Sequence, residues 1–344
     1  MACAGRPTDR RLLPDGTSPH RGYRSGVLRK SMSIAMTAQQ ERDFEDKGFI
    51  ILEDFLHQDE LDRLLSAICE VADRVRQAKG LPPDAPFAVR NALAHHEAFL
   101  DLIDHPRILP LVVDAIGWNI QIRTTHLDYR PPYPKGQIES DKLDIKNGPD
   151  HKGNYRNTVW HPDLAGDYIF EAPSLDGRLP FMEVKVFYVL SDQSASNSGN
   201  LWLAPGTHKR TPQALRDMGG KVDPADSIEL KLPPGAAVLW RTATWHCVGP
   251  NLSDKTRKVI HVGYHYRWLR PTDYMQQDPD LIARSSPIRR QLLGALAPGS
   301  DPMGDDPEFH PASAYWLAKN EDDVPLRAWA EAHARSGTSA REPL

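Results

Sequence analysis

The chain contains few cysteines and no long hydrophobic run, and both absences limit what it can be. Its three cysteines, Cys3, Cys69 and Cys247, are odd in number and far apart, which excludes a disulfide framework and a zinc-ribbon spacing. No stretch approaches the ~18 consecutive apolar residues that a membrane-spanning helix needs. We therefore expect a protein of a reducing compartment, and the cytoplasm is its predicted location.

A strong charge of either sign is also missing. The chain carries 42 lysines and arginines against 46 aspartates and glutamates, so its net charge is −4. Nucleic acids and anionic membranes recruit proteins through concentrated positive charge, so neither is an expected partner. Hydrophobic residues at 40% and charged residues at 26% are the content of an ordinary globular protein with a substantial core.

Composition divides the 344 residues into segments of different character. Residues 1–35 are rich in arginine and lack an apolar stretch; we predict a disordered tail, with an organellar transit peptide as the alternative. Residues 36–270 are predicted to form one domain, and residues 271–344 a loop and helix extension of it. Within the domain, residues 131–157 are polar and rich in proline and glycine. Since structureless loops of this length are usually functional or disordered, we predict a lid-like insertion there.

Helical patterns dominate before Gly117 and strand patterns after it. Thr37 is predicted to cap a first helix, a short strand follows, and Asp59 is predicted to cap a long amphipathic helix. The later strands are predicted at 120–129, 158–163, 182–190, 200–204, 227–232, 236–240, 244–248 and 258–268. Many short strands separated by Gly and Pro turns are typical of a mainly β fold, a barrel or jelly roll, here with an N-terminal helical layer.

The pattern His-x-Asp occurs three times in the sequence. In a strand its first and third side chains project from one face, so that a distant second histidine would complete a 2-His-1-carboxylate set for non-haem Fe(II). The occurrence at His57 lies at a helix start, where a cap explains it. The occurrence at His126 and Asp128 lies on a plausible strand and competes with the third, at His161 and Asp163.

His246 is the best candidate for the second histidine because Arg257 follows it after eleven residues, across a predicted hairpin. Neither His208 nor His261 has an arginine at that offset. A guanidinium matches a carboxylate in shape and charge, and it is costly in a protein interior unless it is paired. The alternative is that Arg257 faces solvent in the preceding turn.

Four segments between residues 37 and 268 resemble the phytanoyl-CoA dioxygenase family. They are the helix and strand from Thr37 to Leu52, the sequence Trp160-His161-Pro162-Asp163, the strand and Pro-Gly-Thr-His turn from Ser198 to His208, and the closing segment from Trp245 to Arg257. The resemblance implies an Fe(II)- and 2-oxoglutarate-dependent oxygenase on a double-stranded β-helix, a jelly roll of the cupin-like kind.

By this resemblance His161, Asp163 and His246 are the catalytic residues and ligate iron, and Arg257 binds the far carboxylate of 2-oxoglutarate. Dioxygen is the other cosubstrate, and a small molecule is hydroxylated at an unactivated C–H bond while succinate and CO2 are released. Val248 stands where the family often has a hydroxyl residue that helps the arginine, and Thr256 is the candidate to replace it. An aspartate at 163 implies oxidation, since related halogenases have a small residue there.

Several alternatives remain open at this point. The same iron chemistry in secondary metabolism could give desaturation, cyclisation or epimerisation, and a non-catalytic jelly-roll or cupin-like binding protein is possible if the histidines are structural or hold zinc. Neither the substrate nor the oligomeric state follows from the sequence. Residues on predicted strands or beside the ligands are candidates for the substrate pocket, with ordinary packing as the alternative: Trp160, Lys185, Trp202, Trp245 and Arg267.

Overall fold

A computed structural model of the protein describes residues 33–82, 85–133, 160–163, 180–218, 223–295 and 324–335. The predicted tail lies outside these residues apart from 33–35, and the predicted lid lies outside them apart from 131–133. None of the helices in the described ranges is long and apolar enough to cross a membrane.

The N-terminal helices begin at side-chain caps. Helix α1 (Ala38–Asp46) starts at Thr37, whose hydroxyl accepts a hydrogen bond from the Gln40 amide, while the Gln40 side chain accepts from the Thr37 amide. Strand β1 (Phe49–Leu52) follows, and then helix α2 (Gln58–Lys79). The predicted cap at Asp59 is wrong: His57 is the N-cap, and Glu60 accepts from its amide. Asp59 instead lies in the first turn, where its negative charge interacts favourably with the positive end of the helix dipole.

The chain continues through β2 (Phe87–Arg90), short 3-10 turns at Ala92–Ala94 and Glu97–Leu102, and helix α3 (Leu109–Ile116) before the main strands begin. These are β3 (Ile120–Arg130), β4 (Glu183–Val189), β5 (Leu201–Leu203), β6 (Ile228–Glu229), β7 (Ala237–Arg241), β8 (His246–Val248) and β9 (Arg257–Tyr266). A 3-10 turn at Thr207–Lys209 and helix α4 (Pro212–Asp217) lie between β5 and β6. Strand β2 was not predicted, and the strand predicted at 158–163 is reduced, within residues 160–163, to one bridge between His161 and His246.

The strands form two antiparallel sheets. One sheet has six strands in the order β1-β7-β4-β9-β3-β2, and the other has three in the order β6-β5-β8. The predicted fold class, mainly β with helical additions, is confirmed. Within the described ranges the strands do not close into a barrel, so the core is better described as two packed sheets.

The six-stranded sheet is buried on both faces, as the all-buried pattern of β4 indicates. On one face Val186 and Val262 pack against the helices. On the other, Phe187 and Val259 pack against Leu203 of the three-stranded sheet. We call this second face the inner face, and the residues with candidate chemistry lie on it or beside it.

In the described part of the C-terminal segment, three helices pack on the helical side of the large sheet. They are α5 (Pro279–Ala283), α6 (Pro287–Leu292) and α7 (Pro325–Arg335). Leu281, Leu292 and Leu326 from these helices are almost fully buried in the same apolar cluster as the large sheet. The C-terminal segment therefore stabilises the sheet that carries the site.

Candidate metal and cosubstrate site

His161, Asp163 and His246 converge in the structure, and we call them the triad. One ligand atom from each side chain lies within 4.8 Å of those of the other two. The backbones of His161 and His246 exchange two hydrogen bonds, of 3.0 and 2.9 Å, and the amide of Asp163 donates to the Thr242 carbonyl at 2.8 Å. These bonds fix the short segment 160–163 against β8 and so bring together side chains that are 83 to 85 residues apart in the sequence.

The imidazole of His246 is oriented for metal binding. Its Nδ1 lies 2.9 Å from the Thr244 carbonyl, so the proton placed there leaves Nε2 as the free ligand atom, 3.7 Å from Asp163 Oδ2. Burial, followed by the neighbouring His161, lowers the pKa of His246 to about 3. The ring is therefore neutral near pH 7, as a metal ligand must be.

The carboxylate of Asp163 accepts a 2.5 Å hydrogen bond from Lys185 Nζ. Burial would raise the pKa of Asp163, but Lys185 and then His246 lower it well below its ordinary range, so the group is ionised. Lys185 lies on β4 with its side chain on the inner face, where its ammonium is 5.8 Å from the centre of the Trp240 ring. Lys185, one of the predicted pocket residues, is therefore in direct contact with the triad.

Arg257 begins β9 and its side chain is 0% exposed, which contradicts the solvent-facing alternative. Its Nη1 donates to Asp128 Oδ2 at 3.1 Å, while Nε and Nη2 have no hydrogen-bond partner among the described residues. Burial lowers the pKa of Arg257 to about 10, against the opposing effect of Asp128, so the guanidinium remains charged. Gly199, at φ +77°, makes room for it, because a Cβ there would lie 2.4 Å from Arg257 Cδ.

A second group of metal-ligand type lies beside Arg257. His126, Asp128 and His261 also bring one ligand atom each within 4.8 Å of the others, and we call them the second cluster. His126 and His261 face each other across β3 and β9, and their rings stack with centres 4.0 Å apart. Asp128 accepts from Arg257 and, at 3.3 Å, from Arg130. The sequence had placed only His126 and Asp128 together. The position of His261, four residues after Arg257 and so on the same face of its strand, was the signal for the third member.

The register of β4 against β9 orders these groups along the inner face. Arg257 is the first residue of β9, and Gly263, which faces Lys185, lies six residues further along the strand. His261 therefore lies between Arg257 and the position opposite Lys185. The facing pairs, in order towards Arg257, are Glu183 with His265, Lys185 with Gly263, Phe187 with His261 and Val189 with Val259.

Glu183, which the sequence reasoning missed, borders the triad on the side away from Arg257. Its side chain is 0% exposed, and Oε2 accepts from Arg123 Nη1 at 2.7 Å. Oε1 has no partner in the described part of the chain, and burial raises the pKa of this carboxyl. A Cβ at Gly263 would lie 2.7 Å from Oε1, so the glycine leaves that oxygen room. The signal was its spacing of two from Lys185 on one strand.

The three tryptophans predicted for the pocket lie elsewhere. Trp160, Trp202 and Trp245 pack with one another and with Cys247 in a separate apolar cluster. Trp202 pairs with Cys247 across β5 and β8, on the face of that sheet opposite Leu201 and Val248. The structure does not bring them to the inner face.

The remaining predicted residues take three different positions. Thr256 is half-buried directly before β9. Val248 is buried in the apolar cluster of the inner face. Arg267 is buried at the far end of β9, where it lines a cavity of about 790 Å³ together with Arg270 and Arg290. Thr256 and Arg267 as ligand-binding residues stay predictions.

Known proteins are similar to this chain in sequence or in fold. A probable alpha-ketoglutarate-dependent hypophosphite dioxygenase of Stutzerimonas stutzeri is 21% identical over 255 residues, which are 67% of this chain and 78% of the relative. EctD from S. alaskensis, in a crystal structure with 2-oxoglutarate and 5-hydroxyectoine, is 18% identical with a TM-score of 0.50, over 73% of this chain and 84% of that one. Its structure with bound Fe is 17% identical, also at 0.50, over 71% and 81%.

The family is shown by a longer match. The sequence profile described as Phytanoyl-CoA dioxygenase (PhyH) matches residues 44–259, more than half of the chain. The matched range includes the triad, Arg257 and Lys185. The chain therefore belongs to the phytanoyl-CoA dioxygenase family of Fe(II)- and 2-oxoglutarate-dependent oxygenases.

Proposed function

We propose that this protein hydroxylates an unactivated C–H bond of a small molecule, with His161, Asp163 and His246 as iron ligands and Arg257 as the cosubstrate-binding residue. One observation carries the proposal: two imidazoles and an ionised carboxylate converge beside an inner face that also holds a buried guanidinium with two open donors. The triad alone and the buried guanidinium alone each have a structural explanation, whereas the two together fit a metal and an acidic cosubstrate.

The triad fits iron by the chemistry of its donors. Two imidazole nitrogens and one carboxylate oxygen from one side of the metal suit non-haem Fe(II) and leave positions for other ligands. The Thr244 carbonyl fixes the ring of His246, and the Lys185 ammonium fixes the carboxylate of Asp163. Such outer contacts typically change metal affinity about 10- to 100-fold, so they support a built site.

Arg257 fits the far carboxylate of 2-oxoglutarate. The buried guanidinium has one partner, Asp128, and keeps Nε and Nη2 open. An ionised group buried without full pairing is costly, and a carboxylate that accepts both open donors would satisfy it. Phe187 and Val259 line the inner face between Arg257 and the triad, where they exclude water from the carbon chain of a bound acid.

Iron and 2-oxoglutarate supply, when bound, an oxidation in which dioxygen is consumed, succinate and CO2 are released and one oxygen atom is transferred to the substrate. The chain's own residues position the reactants for it. Lys185 holds the carboxylate of Asp163 in its ionised form, and Thr244 holds the lone pair of His246 towards the metal position. An aspartate at 163 takes the position that a halogenase leaves for chloride, and this favours oxidation of the C–H bond over its halogenation.

The proposal is tested by anaerobic addition of Fe(II) and then 2-oxoglutarate to metal-free protein. We expect the weak visible charge-transfer band of the chelated cosubstrate in the wild type and none in His246→Ala. His208→Ala is the matched control, because His208 is also buried but hydrogen-bonds to the Glu45 carbonyl outside the site. No band in the wild type, together with tight zinc binding, would contradict the proposal and favour a binding protein.

A further inference from the structure

His261 is a buried histidine for which the described residues provide no hydrogen bond. It is 6% exposed, and neither Nδ1 nor Nε2 has a partner in the part of the chain that the structure describes. Aromatic contacts hold the ring in place: His126 stacks on it at 4.0 Å, and the Phe187 ring centre is 4.9 Å away. Leaving a buried polar group unsatisfied is costly, so a position held this firmly indicates a partner that is not part of these residues.

The position of the ring narrows the identity of that partner. A His261 ring nitrogen lies within 4.8 Å of an Asp128 oxygen, and Asp128 Oδ2 lies 3.1 Å from Arg257 Nη1. His261 and the guanidinium therefore border the same space. Each has open donors, since a neutral imidazole carries one N–H and Arg257 keeps two groups unpaired.

The second cluster has the same donors as the triad, which raises the alternative of a second metal ion. The charges around Asp128 argue against it. Its Oδ2 already accepts from two guanidiniums, Arg257 at 3.1 Å and Arg130 at 3.3 Å. A dication added there would meet two fixed positive charges in a buried environment, where like charges repel strongly. An anion would instead be attracted by both guanidiniums.

We propose that His261, held by its stacking on His126, is a further cosubstrate-binding residue that donates a hydrogen bond to the far carboxylate of 2-oxoglutarate. Together with Arg257 it selects 2-oxo acids that carry two carboxylates. This inference rests on the proposed function and assigns to it a residue that the sequence motifs do not include.

The test compares two 2-oxo acids, one with and one without the far carboxylate. The dissociation constants of 2-oxoglutarate and of 2-oxobutyrate, which lacks the far carboxylate, are measured anaerobically with Fe(II), by the charge-transfer band and by tryptophan fluorescence. His261→Phe keeps a stacking ring without an N–H. We expect it to weaken 2-oxoglutarate binding about 10-fold or more, the loss typical of one hydrogen bond to a charged group, and to leave 2-oxobutyrate unchanged.

His265→Phe is the matched control. His265 is buried on the same strand and face as His261, but it lies on the far side of the Lys185–Gly263 pair from Arg257. Both acids should bind this variant as they bind the wild type. If His261→Phe does not fold, the pair His261→Gln and His261→Met carries the same test, with a donor kept in the first and removed in the second. We expect the glutamine to retain the preference for 2-oxoglutarate and the methionine to lose it.

Three outcomes would overturn the inference. Equal loss for both acids would mean a purely structural histidine, and no loss for either would mean that His261 does not touch the cosubstrate. Two iron or zinc ions per chain, with the second lost in His261→Phe and displaced by 2-oxoglutarate, would establish a metal site instead. A wild type that gives no band with either acid would contradict the proposed function itself, and so the two failures are distinguishable.

Discussion

The triad and the second cluster are built from the same residue types but differ in what surrounds the carboxylate. In the triad, Asp163 accepts from one lysine, Lys185. In the second cluster, Asp128 accepts from two arginines. The supporting backbone also differs, because His161 is held by a single bridge to β8, whereas His126 lies within the eleven-residue strand β3.

This difference teaches that the His-x-Asp pattern does not determine the chemistry of the site. Both carboxylates are ionised, and in both clusters burial lowers the pKa of a histidine, to about 3 for His246 and about 4 for His126. What separates them is the neighbouring charge. The single ammonium near Asp163 leaves that carboxylate able to ligate a cation. The two guanidiniums near Asp128 make its surroundings more favourable for an anion than for a cation.

The largest effect is expected from removing each carboxylate in turn. Asp163→Ala should abolish turnover and lower Fe(II) affinity by more than about 100-fold, since a direct ligand contributes more than the outer contacts that account for 10- to 100-fold. Asp128→Ala should keep iron binding, because the triad stays intact. Equilibrium dialysis with Fe(II) under argon measures both. Retained iron in Asp163→Ala and lost iron in Asp128→Ala would reverse the roles of the two clusters.

A smaller effect is expected at Gly199, which supports Arg257. In Gly199→Ala the new methyl group would lie 2.4 Å from Arg257 Cδ at a backbone φ of +77°. We expect the free energy of unfolding to fall by about 2–4 kcal/mol, from overpacking together with left-handed strain. Urea unfolding measures this, and Gly80→Ala is the control, because Gly80 is also left-handed but has nothing within 4 Å of its Cβ position. Equal losses in the two variants would show that the contact with Arg257 costs nothing.

The smallest effect is a pH dependence that the second cluster contributes. His126 has a pKa of about 4 in the folded protein, lowered first by burial, against an ordinary value of 6.5. As the pH falls below about 6.5 the unfolded chain binds a proton there and the folded chain does not, so stability is lost by about 1.4 kcal/mol per pH unit for each such histidine, until about pH 4.

Urea unfolding of metal-free protein between pH 7 and 5 measures this slope. We expect a shallower slope in His126→Phe than in the wild type, by the contribution of one histidine. Identical slopes would mean that His126 is already protonated, or solvated, in the folded protein.

The sequence predicts best what depends on residues close together in the chain, as the proximity of His161 to Asp163 shows. The local structure expected there is wrong, because the predicted strand is reduced within residues 160–163 to one bridge, and β8 and β9 lie in different sheets and do not form the predicted hairpin. The cap at Thr37 is equally local, and it is confirmed. Iron and 2-oxoglutarate were named through the family resemblance, and the match over residues 44–259 confirms that family.

Contacts that depend on pairing between distant strands were not predicted. His261 meets His126 across 135 residues of sequence, and Glu183 meets Arg123 across 60, so neither partner is visible from local spacing. Trp202 lies on a strand whose residues are all buried, which gives no alternation to tell the two faces apart. The fold class follows from local patterns, whereas the neighbours of a buried charge follow from the strand register.

Gly263 has a consequence for how this enzyme could change over evolutionary time. It is the one inner-face position of β9 without a side chain, and it lies opposite Lys185 and beside the open oxygen of Glu183. A methyl group there would lie 2.7 Å from Glu183 Oε1 and 2.9 Å from Thr124 Cγ2, so an alanine fits only if these two side chains move. Glycine at 263 and the carboxyl group of Glu183 are therefore expected to change together, because neither position can gain bulk while the other keeps its present side chain.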